Sequence, residues 1–193
     1  MRKLTVLCDA DDTIENLLIH WIAELNKMYG LNIKKEDVHS WNLSDTYSML
    51  KPEQVYEPIY RKEFWKQITP IEDSSYYMQK LIQDGHDLYI VTAANYETSD
   101  AKVAKLLELF PFMSWKKIIA TYHKQMIHGD VLIDDGIHNL INGNYNKLLF
   151  HQPHNANIDE KQYGITRVHS WKEIYGIISD IASDKFKGDD KYE

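Results

Sequence analysis

Four short apolar runs in this sequence end in residues that carry a charge or a hydroxyl. The run 4–8 stops at Asp9 and is followed by Ala10, Asp11, Asp12 and Thr13. The run 88–91 stops at Thr92, and the run 118–120 leads into a loop holding Lys124. The run 131–133 passes directly into Asp134 and Asp135. Ligands of open parallel sheets collect beyond the carboxyl ends of the strands, so strands of that kind would bring these side chains to one rim. Several carboxylates packed there would raise each other's pKa and resist joint ionisation. A bound hard cation resolves the conflict, and an oxygen-only ligand set points to magnesium over zinc.

Each residue alone has a plainer reading. Asp and Thr are common at strand ends and turns, and a single Lys is usually solvated surface. The joint order matters: DxDxT after the first run, an apolar run closing on Thr, a Lys, then an apolar run closing on two acids. Other orders do not fit. A calcium loop starting at Asp9 would need Gly at its sixth place and Glu at its twelfth, where Ile14 and His20 stand. The nine histidines include no HExxH spacing, and neither GxxxxGK nor GxGxxG occurs. A receiver domain of two-component signalling would carry its paired acids first and its Lys last.

The elements that must position these residues alternate between strand and helix. The run 4–8 is short and lacks polar alternation, as in a strand buried on both faces. Leu17, Leu18, Trp21, Ile22, Leu25 and Met28 recur at helical spacing, with Gly30 as a stop. From there to about residue 73 the chain reads as helices and loops rich in aromatics. A second rhythm begins at Ser74 or Ser75, either of which could cap a helix ended by Gly85. Strands at 88–91, 118–120, 131–133 and 147–150 follow, with helices at 101–110 and 171–181. The pattern predicts an α/β fold, a doubly wound parallel (Rossmann-like) sheet core with a small helical cap inserted after the first strand. The expected boundaries are 1–14 and 73–183 for the core, 15–72 for the cap, and 184–193 for a flexible tail.

Composition bounds the partners. The chain has 193 residues, 44% hydrophobic and 26% charged, enough apolar material for a real core. Its formal charge is −7, opposite to the clustered basic charge that polynucleotide backbones require. A small phosphate ester is not excluded, since local charge decides that. Cys8 is the only cysteine, so no internal disulfide is expected and a reducing compartment is the default. No apolar run approaches the roughly 18 residues of a membrane span, and the N-terminus lacks the apolar stretch of a signal peptide. A cytoplasmic protein without membrane partners is expected.

The four motifs resemble those of the haloacid dehalogenase-like phosphohydrolase superfamily: Asp9-Ala10-Asp11-Asp12-Thr13, Thr92, Lys124, and the pair Asp134-Asp135. The stretch 121–135, Phe64-Trp65 ahead of Pro70, and Val168-His169-Ser170-Trp171 are similar to the 5'(3')-deoxyribonucleotidase family within it. Departures lie at Asp12 and Thr13, where that family usually has Gly and Val, and at Ala93-Ala94, where it has Ser-Pro. Leu17 stands where it usually presents an aromatic.

The resemblance implies a magnesium-dependent phosphatase of nucleoside monophosphates. Asp9 would be the nucleophile and Asp11 the general acid and base. Thr92 and Lys124 would hold the phosphoryl group, helped by the amides of Ala93 and Ala94. Asp9, the carbonyl of Asp11, and one or both of Asp134 and Asp135 would hold the metal. Trp65, with Trp41 and Phe64 behind it, would face the base, and Lys102 the phosphate. Alternatives are a superfamily phosphatase of another small ester or of a nucleic-acid 3'-phosphate, and a non-catalytic binding module, against which both Asp9 and Asp11 argue. A homodimer through exposed cap aromatics is left open.

Overall fold

The computed structural model describes residues 2–185. Along the chain the elements are β1 (Thr5–Cys8), α1 (Leu17–Tyr29), α2 (Leu43–Thr46), α3 (Pro52–Tyr56), α4 (Lys62–Trp65), α5 (Ser74–Gln83) and β2 (Asp87–Thr92). There follow α6 (Ser99–Leu109), β3 (Ile118–Ala120), β4 (Val131–Asp134), α7 (Ile137–Leu140), β5 (Asn146–Phe150), β6 (Ile165–Val168) and α8 (Trp171–Ala182). The six strands form one sheet in the order β3-β2-β1-β4-β5-β6, and every pairing is parallel. The order reverses at β1, where a doubly wound sheet opens its crevice.

Period-two alternation splits each strand between two apolar layers. Val6, Cys8, Leu88, Ile90, Val131, Ile133 and Leu148 pack under α5, α6 and α8 through Met78, Leu81, Leu106, Trp171, Ile174 and Ile178. Leu7, Val91, Leu132 and Leu149 face the other way, against Leu140 of α7 and Ile165. Both faces are covered, which is why the strands read as continuous apolar runs.

The residues between 17 and 68 bury an apolar cluster of their own. Leu17, Leu18, Trp21, Ile22 and Leu25 of α1 meet Val38, Leu43, Tyr47, Val55, Phe64, Trp65 and Ile68. Gly30 ends α1 with φ of 65°, the left-handed turn at which a helix stops. The chain enters and leaves this segment along one two-stranded neck. Asn16 N–H donates to Thr69 O and Ile71 N–H to Ile14 O, each at 2.9 Å, and Glu15 bridges Pro70.

Two expectations change. Neither Ser74 nor Ser75 caps α5. Asp73 precedes it with φ of 60°, while the Ser74 hydroxyl donates to the carbonyls of Ile14 and Ile71, at 3.0 and 2.8 Å, and braces the neck. A sixth strand, β6, was not expected, because Thr166 and Arg167 break its apolar pattern. At the sheet edge Arg167 spends its guanidinium on Glu160, on Asn155, and on the Ile158 carbonyl. Most of the expected tail, residues 186–193, lies outside the described residues. Among the described residues no helix is long and apolar enough to cross a membrane.

Candidate active site

The rim at the carboxyl ends of β1, β2 and β4 carries the acids. Asp9 continues β1 for one more bond, its N–H donating to Ile133 O at 2.9 Å. The next turn is tight: Thr13, Ile14 and Glu15 all donate to the Ala10 carbonyl, and Asp12 sits at φ of 52°. That is the left-handed region that favours Gly, and Asp is among the few other residues that tolerate it. The Asp12 carboxylate has a structural task, accepting the Leu18 N–H at 3.0 and 3.2 Å and so satisfying an early donor of α1. Burial and nearby Asp135 still push its pKa up to about 7.

Lys124 is the buried counter-charge. Its ammonium lies 2.6 Å from Asp9 Oδ1 and 2.7 Å from Asp134 Oδ2. Burial works against its charge, but Asp134 and Asp9 outweigh that and hold its pKa above the ordinary value. Oxygens of Asp9, Asp134 and Asp135 lie within 4.8 Å of one another. Burial raises the pKa of Asp9 well above normal, Lys124 opposes that, and the neighbouring acids add to it. Asp135 is raised in the same way, by burial and then by Asp134.

The two acids of the pair differ. Asp134 has both oxygens occupied, one by Lys124 and the other by Gly136 N–H at 2.8 Å and Asn139 Nδ2 at 3.0 Å. Asp135 keeps Oδ1 buried with no partner, and its Oδ2 lies 3.3 Å from His154 Nε2. A buried orphan oxygen beside two other acids is the signature of a site completed by a cation. The residues present therefore fit a hard divalent metal.

A cavity of about 380 Å³ opens over this rim, within the roughly 300–1,000 Å³ of small-molecule sites. Its lining holds the polar Asp9, Asp11, Asp135, Lys102 and Lys124 with Ala93 and Ala94, together with the apolar Leu17, Leu18, Trp21, Val38, Leu43, Tyr56 and Trp65. The indoles of Trp21 and Trp65 donate to the carbonyls of Val55 and Ile59, at 2.7 and 3.1 Å, so their rings are fixed. Trp41 is half-exposed at the mouth, edge-on to His138 and His154 with centroids 4.7 and 5.1 Å away.

Three of the sequence-derived positions stand apart from the cavity lining. Thr92 is buried behind Ala93, whose carbonyl its hydroxyl meets at 3.2 Å. Asp134 lies behind Lys124 and Asp135. Phe64 points into the apolar cluster of residues 17–68, edge-on to Trp65 at 5.9 Å, because adjacent helical residues diverge by about 100°. The structure thus does not bring Phe64 to a bound base. Lys102 is present but differently engaged, its ammonium 2.7 Å from Asp11 Oδ2 and 2.8 Å from Ala93 O.

Sequence reasoning missed Asn139, Gln152, His154 and Glu15. Gln152 Nε2 donates to the Asp12 carbonyl at 2.6 Å and fixes the acidic turn from the far side. Extending the strand-end rule to Phe150 would have reached Gln152 and His154. Glu15 is fully buried and neither carboxyl oxygen receives an N–H or hydroxyl donor, while burial and then the Asp11 carboxyl, within hydrogen-bond reach, raise its pKa well above normal.

A parallel sheet in this order, with its acids and lysine at one rim and a helical insertion after β1, defines a hydrolase of the haloacid dehalogenase-like class. A hydrolase of that class from Deinococcus radiodurans R1, solved with bound phosphate and sodium, shares the fold with a TM-score of 0.62 at 15% identity, covering 93% of this chain and 96% of its own. The Bacillus subtilis hydrolase YfnB, solved bound to magnesium, does so at 0.59 and 16%, covering 92% and 99%. Within the class, a family model described as 5' nucleotidase, deoxy (pyrimidine), cytosolic type C protein matches residues 2–185. A 5'(3')-deoxyribonucleotidase of Bacillus subtilis (strain 168) is 31% identical over 177 residues, covering 89% of this chain and 96% of its own. One of Clostridium acetobutylicum is 28% identical over 186 residues, covering 94% and 98%. The chain belongs to the 5'(3')-deoxyribonucleotidase family and is a phosphoric monoester hydrolase of the 5'-nucleotidase type, acting on small nucleotides.

Proposed function

We propose that the protein is a magnesium-dependent deoxyribonucleoside monophosphate phosphatase working through an aspartyl-phosphate. The observation that carries this is one cavity lined both by the acids and Lys124 and by apolar residues, two of whose indoles are hydrogen-bonded in place. Such a cavity can seat a phosphate and a base together. In the first step a carboxylate oxygen of Asp9 attacks phosphorus and the bond to the sugar oxygen breaks. The leaving oxygen takes its proton from Asp11. In the second step water attacks the phosphorus of the acyl phosphate while Asp11 takes back a proton, and inorganic phosphate leaves with Asp9 restored.

Lys124 keeps one oxygen of Asp9 turned inward and offsets charge gathering on the phosphoryl group. The amides of Ala93 and Ala94 offer hydrogen bonds to phosphoryl oxygens from the end of β2, with Thr92 buried behind them. Asp9, the Asp11 carbonyl and Asp135 would hold magnesium, with Asp134 bracing Lys124 behind them. When bound, the ion neutralises the acids and polarises the phosphoryl oxygens.

Residues 15–72 act in this reading as the cap that recognises the base. Trp65 supplies the stacking surface, worth roughly 1–3 kcal/mol for a base on an aromatic ring, with Leu17 as apolar contact and Trp41 half-exposed beside it. A cytoplasmic location belongs to the same reading, since Cys8 is a buried free thiol and suits a reducing compartment.

Purified protein with magnesium and a panel of deoxy- and ribonucleoside monophosphates tests the claim. Phosphate release from deoxyribonucleotides is expected, and release from none of them refutes it. An Asp9→Asn variant with full activity would refute the nucleophile even if the substrate class were right.

A further inference from the structure

We propose that Lys102 is a positioning residue for Asp11, and that it is not a ligand of the substrate phosphate. The inference rests on reading Asp11 as the general acid.

Lys102 sits in the first turn of α6 and is 1% exposed. A buried ammonium must find acceptors for its three protons, and this one has found its partners inside the protein. Asp11 Oδ2 accepts at 2.7 Å and the Ala93 carbonyl at 2.8 Å. The ring of Trp65 covers a further side, with its centroid 5.0 Å from Nζ.

These partners are themselves fixed. The Ile59 carbonyl accepts from the Trp65 indole at 3.1 Å and from the Thr98 hydroxyl at 3.1 Å, and Thr98 is the residue that precedes α6. The carbonyl of Thr98 in turn accepts the Lys102 N–H at 3.0 Å. The cap ring and the core lysine are thereby tied to a single backbone group.

The other oxygen of Asp11, Oδ1, is buried and receives no N–H or hydroxyl donor. The buried carboxyl of Glu15, its pKa raised by burial and then by Asp11, lies within hydrogen-bond reach of the Asp11 carboxyl. Without Lys102 the Asp11 carboxyl would keep only the Glu15 carboxyl beside it and would lose the bond that sets its orientation. Proton transfer demands that alignment, and general acid catalysis is worth about 10²- to 10⁴-fold.

The two roles for Lys102 separate on the leaving group. A sugar alkoxide needs its proton as the bond breaks, whereas 4-nitrophenolate leaves without one. The test compares kcat/KM of wild type and Lys102→Met on deoxythymidine 5'-monophosphate and on 4-nitrophenyl phosphate, because kcat/KM reports the step in which the leaving group departs. The expected result is a loss of about 10²-fold on the nucleotide and under about fivefold on the nitrophenyl ester. Inhibition by inorganic phosphate is expected to stay within about threefold of wild type, a readout that general damage to the site would also move.

Parallel losses on both esters, or a tenfold weaker phosphate inhibition, overturn the proposal in favour of phosphate ligation. Lys102→Gln serves as the second variant. It retains a donor for Asp11 in a neutral slot and is expected to fall between wild type and Met. Asp11→Asn, run alongside, separates the two levels of the argument. If it shows no leaving-group dependence, the general-acid reading fails. If it shows one and the Lys102 variants do not, only the positioning role fails.

Discussion

Replacing Lys124 by Met tests how the acid cluster is held together. The ammonium makes two ion pairs, at 2.6 and 2.7 Å, and its side chain is 3% exposed against 5% for Asp9 and 0% for Asp134. Screening by solvent is therefore minimal, and Met fills nearly the same volume without the charge. Removing one partner from a buried ionic group costs about 3–5 kcal/mol, because the remaining charges lose their compensation without regaining water. In a domain of this size that corresponds to a fall in Tm of about 10 °C. The assay is urea unfolding in excess EDTA, followed by tryptophan fluorescence, with an unchanged m-value as the check on two-state behaviour. Repeating it in millimolar magnesium should shrink the cost by at least about 1 kcal/mol, since a cation bound only by the folded state adds stability that grows with its affinity. A cost below about 1 kcal/mol in EDTA would refute the reasoning, as would a cost that magnesium leaves unchanged.

Asp135→Asn should lose most of the magnesium-induced rise in Tm while equalling or exceeding wild-type stability in EDTA, because one orphan carboxylate is gone; thermal unfolding with and without the ion checks both. Trp171→Phe strips the Thr13 carbonyl of a donor at 2.9 Å inside the core and should cost about 1–3 kcal/mol in urea unfolding. His86 accepts the Leu4 N–H through Nδ1, and burial lowers its pKa below 6.5. The unfolded chain therefore binds the proton first, and stability present above pH 6.5 is lost as pH falls below it. His86→Asn offers a similar acceptor that does not titrate, so wild type should lose stability relative to it between pH 7.5 and 5, measured as a difference in unfolding free energy.

The positions of Asp9, Asp134 and Asp135 on one rim were legible because they close apolar runs that announce buried strands, whereas Lys124 lies in a loop beyond the half-buried β3. The sheet was legible for the same reason, down to the parallel order that double burial implies. What stayed hidden depends on relations between distant segments. Phe64 and Trp65 are neighbours of the same type, and only the rotation of a short helix sends one to the cavity and the other into the cap. Lys102 looks like any helical lysine until Asp11, 91 residues away, meets its ammonium. Asn139 bonds Asp134 Oδ1 at the end of β4, and Gln152 bonds the Asp12 carbonyl 140 residues away. Their types alone announce nothing. Strand β6 was masked by Arg167, whose partners lie outside its own strand.

The paired neck at residues 14–16 and 69–71 bears on how the chain finds its sheet. β1 must wait for β2, and the residues between them form a long loop whose closure is entropically unfavourable. A bond between positions 53 residues apart, as between Asn16 and Thr69, short-circuits most of that loop. The remaining path from Cys8 to Asp87 is about a third as long, easing closure by about 1 kcal/mol. Folded early on its own apolar cluster, the inserted segment would act as a splint, bringing the first two strands of the sheet within reach of each other.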